Sequence, residues 1–169
     1  MELNRPAPEF VLTDIDGRRH ELSDYRGRVA IINFWSCECP HVVRTDRLLM
    51  EMSAGWRGEV ALLSIASNRI ESLADIAASA HARGLPIVLH DPQHKVADLY
   101  EAQTTPEVFV LDRLGILRYR GAFDDVDFRQ RTPTRSFLNE AVQALLAGRL
   151  PAVPETRSYG CAIVREAVE

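Results

Sequence analysis

At 169 residues, with 46% hydrophobic content, the chain suits one domain large enough to bury a core. The 20 Lys+Arg against 24 Asp+Glu give a formal charge of -4, and the charges are interspersed, which argues against nucleic acid as a partner. The opening "MELNRPAPEF" has neither a basic nor an apolar leader region, and no apolar run approaches the roughly 20 residues a bilayer span needs, so a soluble cytoplasmic protein without membrane contact is expected.

After the extended lead-in "RPAPEF", the stretch "FVLTDIDGRRHELSDYRGR" reads as a hairpin turning at Asp16-Gly17, placed on the front of the domain. "VAIINFW", Val29 to Trp35, is a continuous β-branched and aromatic run, the pattern of a strand buried on both faces. A helix follows from Pro40 to about Trp56, with Val42, Leu49 and Trp56 on one face and Pro40 near its first position, where a missing N–H costs nothing. Next come a second buried strand over "VALLSIAS", a helix carrying Leu73, Ile76, Ala77 and Ala80 that stops near Gly84, and a third strand over "PIVLHD". "QHKVADLY" supplies about two helical turns, "VFVLD" and "ILRYRG" pair as a hairpin around Leu114-Gly115, and "TRSFLNEAVQALLAGR" is a final amphipathic helix. Strands alternating with helices imply an α/β fold, a mixed sheet covered by helices on both faces, over residues 1–150. Residues 151–169 form a tail that carries Cys161.

Chemistry in such sheets gathers at the carboxyl ends of the strands, and the loop "SCECPH" lies at such an end. Three cysteines are too few for a disulfide scaffold, so they are expected to be reactive, metal-binding or inert thiols. Cys39, just before Pro40, stands at a helix start, and the free N–H groups and dipole of a helix start favour a thiolate. His41 adds a positive or hydrogen-bonding neighbour. Cys37 is open to three readings: a small-ring disulfide with Cys39, a soft-metal ligand, or an inert thiol. Cys37, Cys39 and His41 at alternating positions would suit copper(I) or zinc, with His90 as a further candidate ligand. His81 and His94 read as exposed helix residues. Trp35 reads as core that also borders a docking groove.

"VAIINFWSCECPHV" resembles the active-site strand and loop of the thioredoxin-like redoxins, the branch joining alkyl hydroperoxide reductase and thiol-specific antioxidant proteins to thiol reductases. "TTPEVFVLD" resembles that family's Thr-Pro turn, which maps to Thr105 and Pro106, and the N-terminal hairpin is similar to the redoxin lead-in. The segments "RYRGAFDD" and "SYGCAI" look like a peroxiredoxin-like subgroup and single out Arg120, Asp124, Asp125 and Cys161, without a role. The resemblance implies a thioredoxin fold, Cys39 as nucleophile with His41 stabilising its thiolate, a cis Pro106 packed against it, and no cofactor. Thioredoxins place a second cysteine where this chain has Val42, so a resolving thiol is expected from Cys37, from Cys161 or from another molecule.

The expected function is a thiol-disulfide oxidoreductase acting on protein or small-molecule disulfides, with an external thiol reductant such as a thioredoxin system. Trp35, Ser36, Pro40, Thr105 and Pro106 are the expected substrate contacts. A thiol peroxidase is the alternative, with Ser36 three residues before Cys39 as the orienting hydroxyl. Against it, Ile32 replaces the family's proline, and Pro106 occupies the loop of its arginine, which Arg118 or Arg120 would have to replace. A metal-binding module is the third reading.

Overall fold

The computed structural model describes residues 1–165; the last four residues of the expected tail, 166–169, lie outside the described residues. Nine strands and four α-helices follow in order: β1 (Val11–Asp14), β2 (Arg19–Glu21), β3 (Val29–Trp35), α1 (Pro40–Ser53), β4 (Val60–Ala66), α2 (Leu73–Arg83), β5 (Val88–His90), α3 (Lys95–Leu99), β6 (Thr104–Thr105), β7 (Glu107–Leu111), β8 (Leu117–Gly121), α4 (Phe137–Leu146) and β9 (Cys161–Ala162). Seven strands form one sheet in the order β2-β1-β5-β4-β3-β7-β8. It is mixed: β3, β4 and β5 are parallel, whereas β1 joins β5, and β7 joins β3, in antiparallel fashion. The N-terminal hairpin therefore extends the sheet edge instead of standing in front of it.

The apolar run of β3 is explained by its position at the centre. Every residue from Val29 to Trp35 is buried, and side chains alternate between the two faces. Ile32 and Phe34 join Leu63, Ile65, Tyr100 and Phe109 on one side, where Phe109 packs edge-on against Phe34 at 5.7 Å and Tyr100 at 5.3 Å. Val29 and Ile31 join Leu49 of α1 and Leu138 and Val142 of α4 on the other.

Local chemistry sets the helix limits. Ser72 and Ser136 cap α2 and α4 by accepting the N–H groups of Asp75 and Asn139, each at 3.1 Å, and Gly84 ends α2 in left-handed backbone. Helix α1 starts at Pro40 as expected but stops at Ser53, short of Trp56, because Arg57 and Gly58 take positive φ and turn the chain. Trp56 is buried all the same. His94 departs from expectation: it is the 4% exposed N-cap of α3, its Nδ1 donating to the Ser67 carbonyl.

The tail packs against the domain along its described length, residues 151–165. The Arg120 N–H donates to the Pro154 carbonyl and the Thr156 N–H to the Arg120 carbonyl, both at 3.1 Å, so the tail runs along the free edge of β8. It then returns to the domain centre, where β9 pairs antiparallel with β6, Cys161 opposite Thr105 and Ala162 opposite Thr104. Ile163 is buried in the main core, and Arg165 closes the latch on Asp98 (2.7 Å) and the Ala102 carbonyl (2.6 Å).

Gly160 permits this approach. A Cβ there would stand 2.1 Å from the Thr105 carbonyl oxygen and 2.7 Å from its carbon, both backbone atoms that have no room to give. Gly160→Ala is therefore expected to unseat β9, raising amide exchange at Ile163, whose N–H donates to the Gln103 carbonyl, by about tenfold or more. Gly55→Ala, whose nearest neighbour would be an ordinary 3.6 Å contact, is the control. Unchanged exchange in Gly160→Ala would contradict this account of the tail.

Candidate active site

Strand β3 delivers its carboxyl end to the loop Ser36–Cys39, and α1 begins at the next residue. Cys39 is the N-cap of α1 and is only 2% exposed; its thiol donates to the Thr105 carbonyl at 3.2 Å. The Thr105–Pro106 bond is cis. Cys161 faces Thr105 across the β6–β9 ladder, and its half-buried side chain packs against the apolar cluster that holds Cys39, whose sulfur is near enough to act on the Cys161 thiol. Tyr159 places its ring edge-on against His41, centroids 5.0 Å apart, and so covers the start of α1. The fold thus gathers Cys39, His41, Thr105, Pro106 and Cys161 from three separate parts of the chain.

Cys37 lies in the same apolar cluster as Cys39, but its thiol faces a carboxylate. Burial first, then the adjacent Glu71, pushes it up to about 12. The Cys161 thiol is also pushed up to about 12, by burial, by the adjacent Cys39 and by the charge of Glu71. Both are therefore neutral thiols near neutral pH.

Three buried or half-buried charges hold this loop, and none was anticipated from sequence. Glu71, 6% exposed, accepts the Ser36 hydroxyl at 2.5 Å and the Glu38 N–H at 3.0 Å, while its Oε2 has no hydrogen-bond partner among the described residues. Arg83 of α2 donates to the Cys37 carbonyl at 2.6 Å and to Asp46 at 2.9 Å, and lies over the Trp35 ring at 5.4 Å. Burial raises the Asp46 carboxyl, with Trp35 and Arg83 opposing the shift. Glu71 follows the carboxyl end of β4, the place where site residues gather, but a glutamate just before a serine cap reads in sequence as a solvated helix start.

The remaining expected residues are placed as follows. Pro40 is exposed at the start of α1, next to Cys39. Trp35 is fully buried, its indole N–H donating to Asp46 at 2.9 Å, so it borders no open groove. Ser36 is buried with its hydroxyl turned to Glu71, not to a peroxide position beside Cys39. Arg118 pairs with Asp112 and Arg120 with Glu155, each at 2.7 Å, and neither curls back to the thiols. Asp124 is 4% exposed and takes a two-pronged bond from Arg44 of α1 at 2.6 and 3.1 Å. Asp125, held far below the usual carboxylate range by bonds from Thr134, organises the loop before α4. Among the described residues, no group of three or more His, Cys, Asp or Glu could hold a metal ion, and no helix is long and apolar enough to cross a membrane.

A mixed sheet with a cysteine at the start of its first helix and a Thr–cis-Pro turn against it defines a protein of the thioredoxin-like α/β fold. The chain belongs to the AhpC/TSA family, whose model matches residues 3–120. It is 32% identical to the thiol-disulfide oxidoreductase ResA of Geobacillus kaustophilus over 110 residues, 64% of this chain and 63% of that protein. It is 27% identical to the thiol:disulfide interchange protein DsbE of Allochromatium vinosum over 120 residues, 70% of this chain and 65% of that one. The matches thus span under two thirds of the length of these curated relatives. Among solved structures, an uncharacterized conserved protein from Geobacillus kaustophilus superimposes with a TM-score of 0.91 at 28% identity, covering 99% of this chain and 94% of that one. A hypothetical protein from Sinorhizobium meliloti 1021 does so at 0.87 and 30%, covering 99% and 97%.

The raised thiols carry a pH prediction. A Cys raised above its ordinary 9.0 stays protonated in the folded protein while the unfolded chain ionises. Stability is therefore expected to be fully present below pH 9.0 and to be lost as pH rises toward about 12. Glu71→Gln removes one raising charge while burial remains, so both thiols should titrate below about 12 yet above 9.0 by ultraviolet thiolate absorbance. An unchanged titration would contradict the role given to Glu71.

Proposed function

We propose that the protein is a thiol-disulfide oxidoreductase whose redox pair is Cys39 and Cys161. The observation that carries this reading is the β6–β9 ladder, which sets Cys161 opposite Thr105, the residue whose carbonyl accepts the Cys39 thiol, and against the cluster that holds Cys39. Cys39 acts as the nucleophile: its thiolate attacks a substrate disulfide, and one substrate sulfur leaves while the other stays bound to Cys39. Cys161 then attacks Cys39, expels the second substrate sulfur and closes the Cys39–Cys161 disulfide. The two thiol protons of the protein end on the two substrate sulfurs, and an external dithiol such as a thioredoxin system restores the pair. His41 supplies a hydrogen-bonding group beside the reacting sulfur, and Pro106 and Thr105 form the edge on which the substrate lies.

Cys39 is covered in the reduced protein, so a substrate reaches it when Tyr159–Cys161 lifts from that edge. A ladder of only two residue pairs suits such a movement. Protein or small-molecule disulfides are the substrate class, in keeping with the relatives named as thiol-disulfide oxidoreductase and thiol:disulfide interchange protein. Cys37, turned toward Glu71, is assigned no part in the exchange. No observation favours a peroxidase, because Ser36, Arg118 and Arg120 are committed elsewhere.

The test is turnover on a protein disulfide. Cys39→Ser is expected to lower it by about 100-fold or more, Cys161→Ser to accumulate a substrate mixed disulfide on Cys39, and Cys37→Ser to stay within about twofold of the unsubstituted protein. Full turnover by Cys39→Ser would end the proposal, and full turnover by Cys161→Ser without a trapped adduct would remove Cys161 from the pair.

A further inference from the structure

We infer that reducing equivalents enter the oxidised protein at Cys161, so that the tail cysteine is the sulfur attacked by the donor and Cys39 is the one released. This rests on the Cys39–Cys161 pair proposed above and goes beyond it by giving the two ends of the cycle different doors. Substrate is reduced at Cys39; the donor docks on the tail.

Access supplies the first argument. Exchange needs the incoming thiolate to approach the attacked sulfur along the line of the S–S bond, from the side away from the leaving sulfur. Cys39 is 2% exposed and belongs to the apolar cluster of Trp35, Val42, Ala66 and Ile76, which leaves a donor no approach. Cys161 is half-buried, so it keeps part of its surface in the medium where Cys39 keeps almost none. In the reduced protein the tail can lift and uncover Cys39. In the oxidised protein the disulfide itself ties β9 to α1, so the covering strand is held where it lies, alongside the Ile163 and Arg165 latches.

The leaving group supplies the second. Attack on Cys39 would have to expel Cys161, a thiol that burial, the adjacent Cys39 and then the charge of Glu71 push up to about 12, which is a poor leaving group. Attack on Cys161 expels Cys39 at the N-terminus of α1, a 14-residue helix whose dipole favours the negative charge that departs there. Access and leaving-group strength agree on the same sulfur.

The step balances with a dithiol donor. Its first thiolate forms a bond to the Cys161 sulfur, the Cys39–Cys161 bond breaks, and the electron pair goes to Cys39. The donor's second thiolate then attacks the donor sulfur in the mixed disulfide and expels Cys161. The two protons of the donor end on Cys39 and Cys161, and the donor leaves as its disulfide.

The experiment uses the full chain, oxidised by two electrons. Oxidised protein is mapped first, then mixed with the monothiol mercaptoethanesulfonate in the presence of iodoacetamide, which alkylates whichever cysteine is freed, and digested in acid for mass spectrometry. The expected product carries mercaptoethanesulfonate on Cys161 and a carbamidomethyl group on Cys39, in excess over the reverse by about tenfold or more. The reverse product, or an even division, would overturn the inference while leaving the redox pair intact. Absence of a Cys39–Cys161 bridge in the first map would overturn both.

Discussion

The backbone of Thr105 is used twice. Its carbonyl accepts the Cys39 thiol at 3.2 Å, and its place in the β6–β9 ladder faces it toward Cys161. One residue next to a cis proline thus fixes the relative position of two sulfurs separated by more than a hundred residues of sequence. The other features of the site support that contact. Helix α1 begins at Cys39 because Pro40 suits the first helical position, β3 brings the loop to the sheet's carboxyl end, and Gly160 lets the tail lie against the Thr105–Pro106 peptide.

A second constraint comes from the charges buried beneath the loop. Glu71 binds Ser36 and the Glu38 N–H, while Arg83 ties the Cys37 carbonyl to Asp46 and Trp35. These bonds hold residues 36–38 from both sides, so the Cys39 sulfur stands on a fixed support, while β9 beside it is held to β6 by only two residue pairs. Burial, with Glu71 adding to it, keeps Cys37 and Cys161 as neutral thiols.

How much of this could be read from sequence depended on the range of the forces involved. Val29 to Trp35 was legible because both of its faces are buried and all its side chains but that of Asn33 are apolar. The start of α1 and the Thr105–Pro106 turn were legible because a proline restricts its own surroundings. Strand β9 was not, since two residues carry no periodicity and the partner strand lies far away in the chain. The hairpin β1–β2 was recognised, but its attachment to β5 was not, because no local pattern says which edge a strand joins. Trp35 and Ser36 were assigned to substrate from their nearness to Cys39, while their side chains turn to Asp46 and Glu71. His94 was taken for a surface residue because its partner, the Ser67 carbonyl, belongs to another loop.

The central claim is that Cys39 and Cys161 are one redox pair, and a peptide map of the oxidised protein under non-reducing conditions tests it most directly. The account predicts a single Cys39–Cys161 bridge, reversed by a dithiol, with Cys37 left as a free thiol. A Cys37–Cys39 bridge, or Cys39 recovered as sulfinic acid with Cys161 still free, would contradict it.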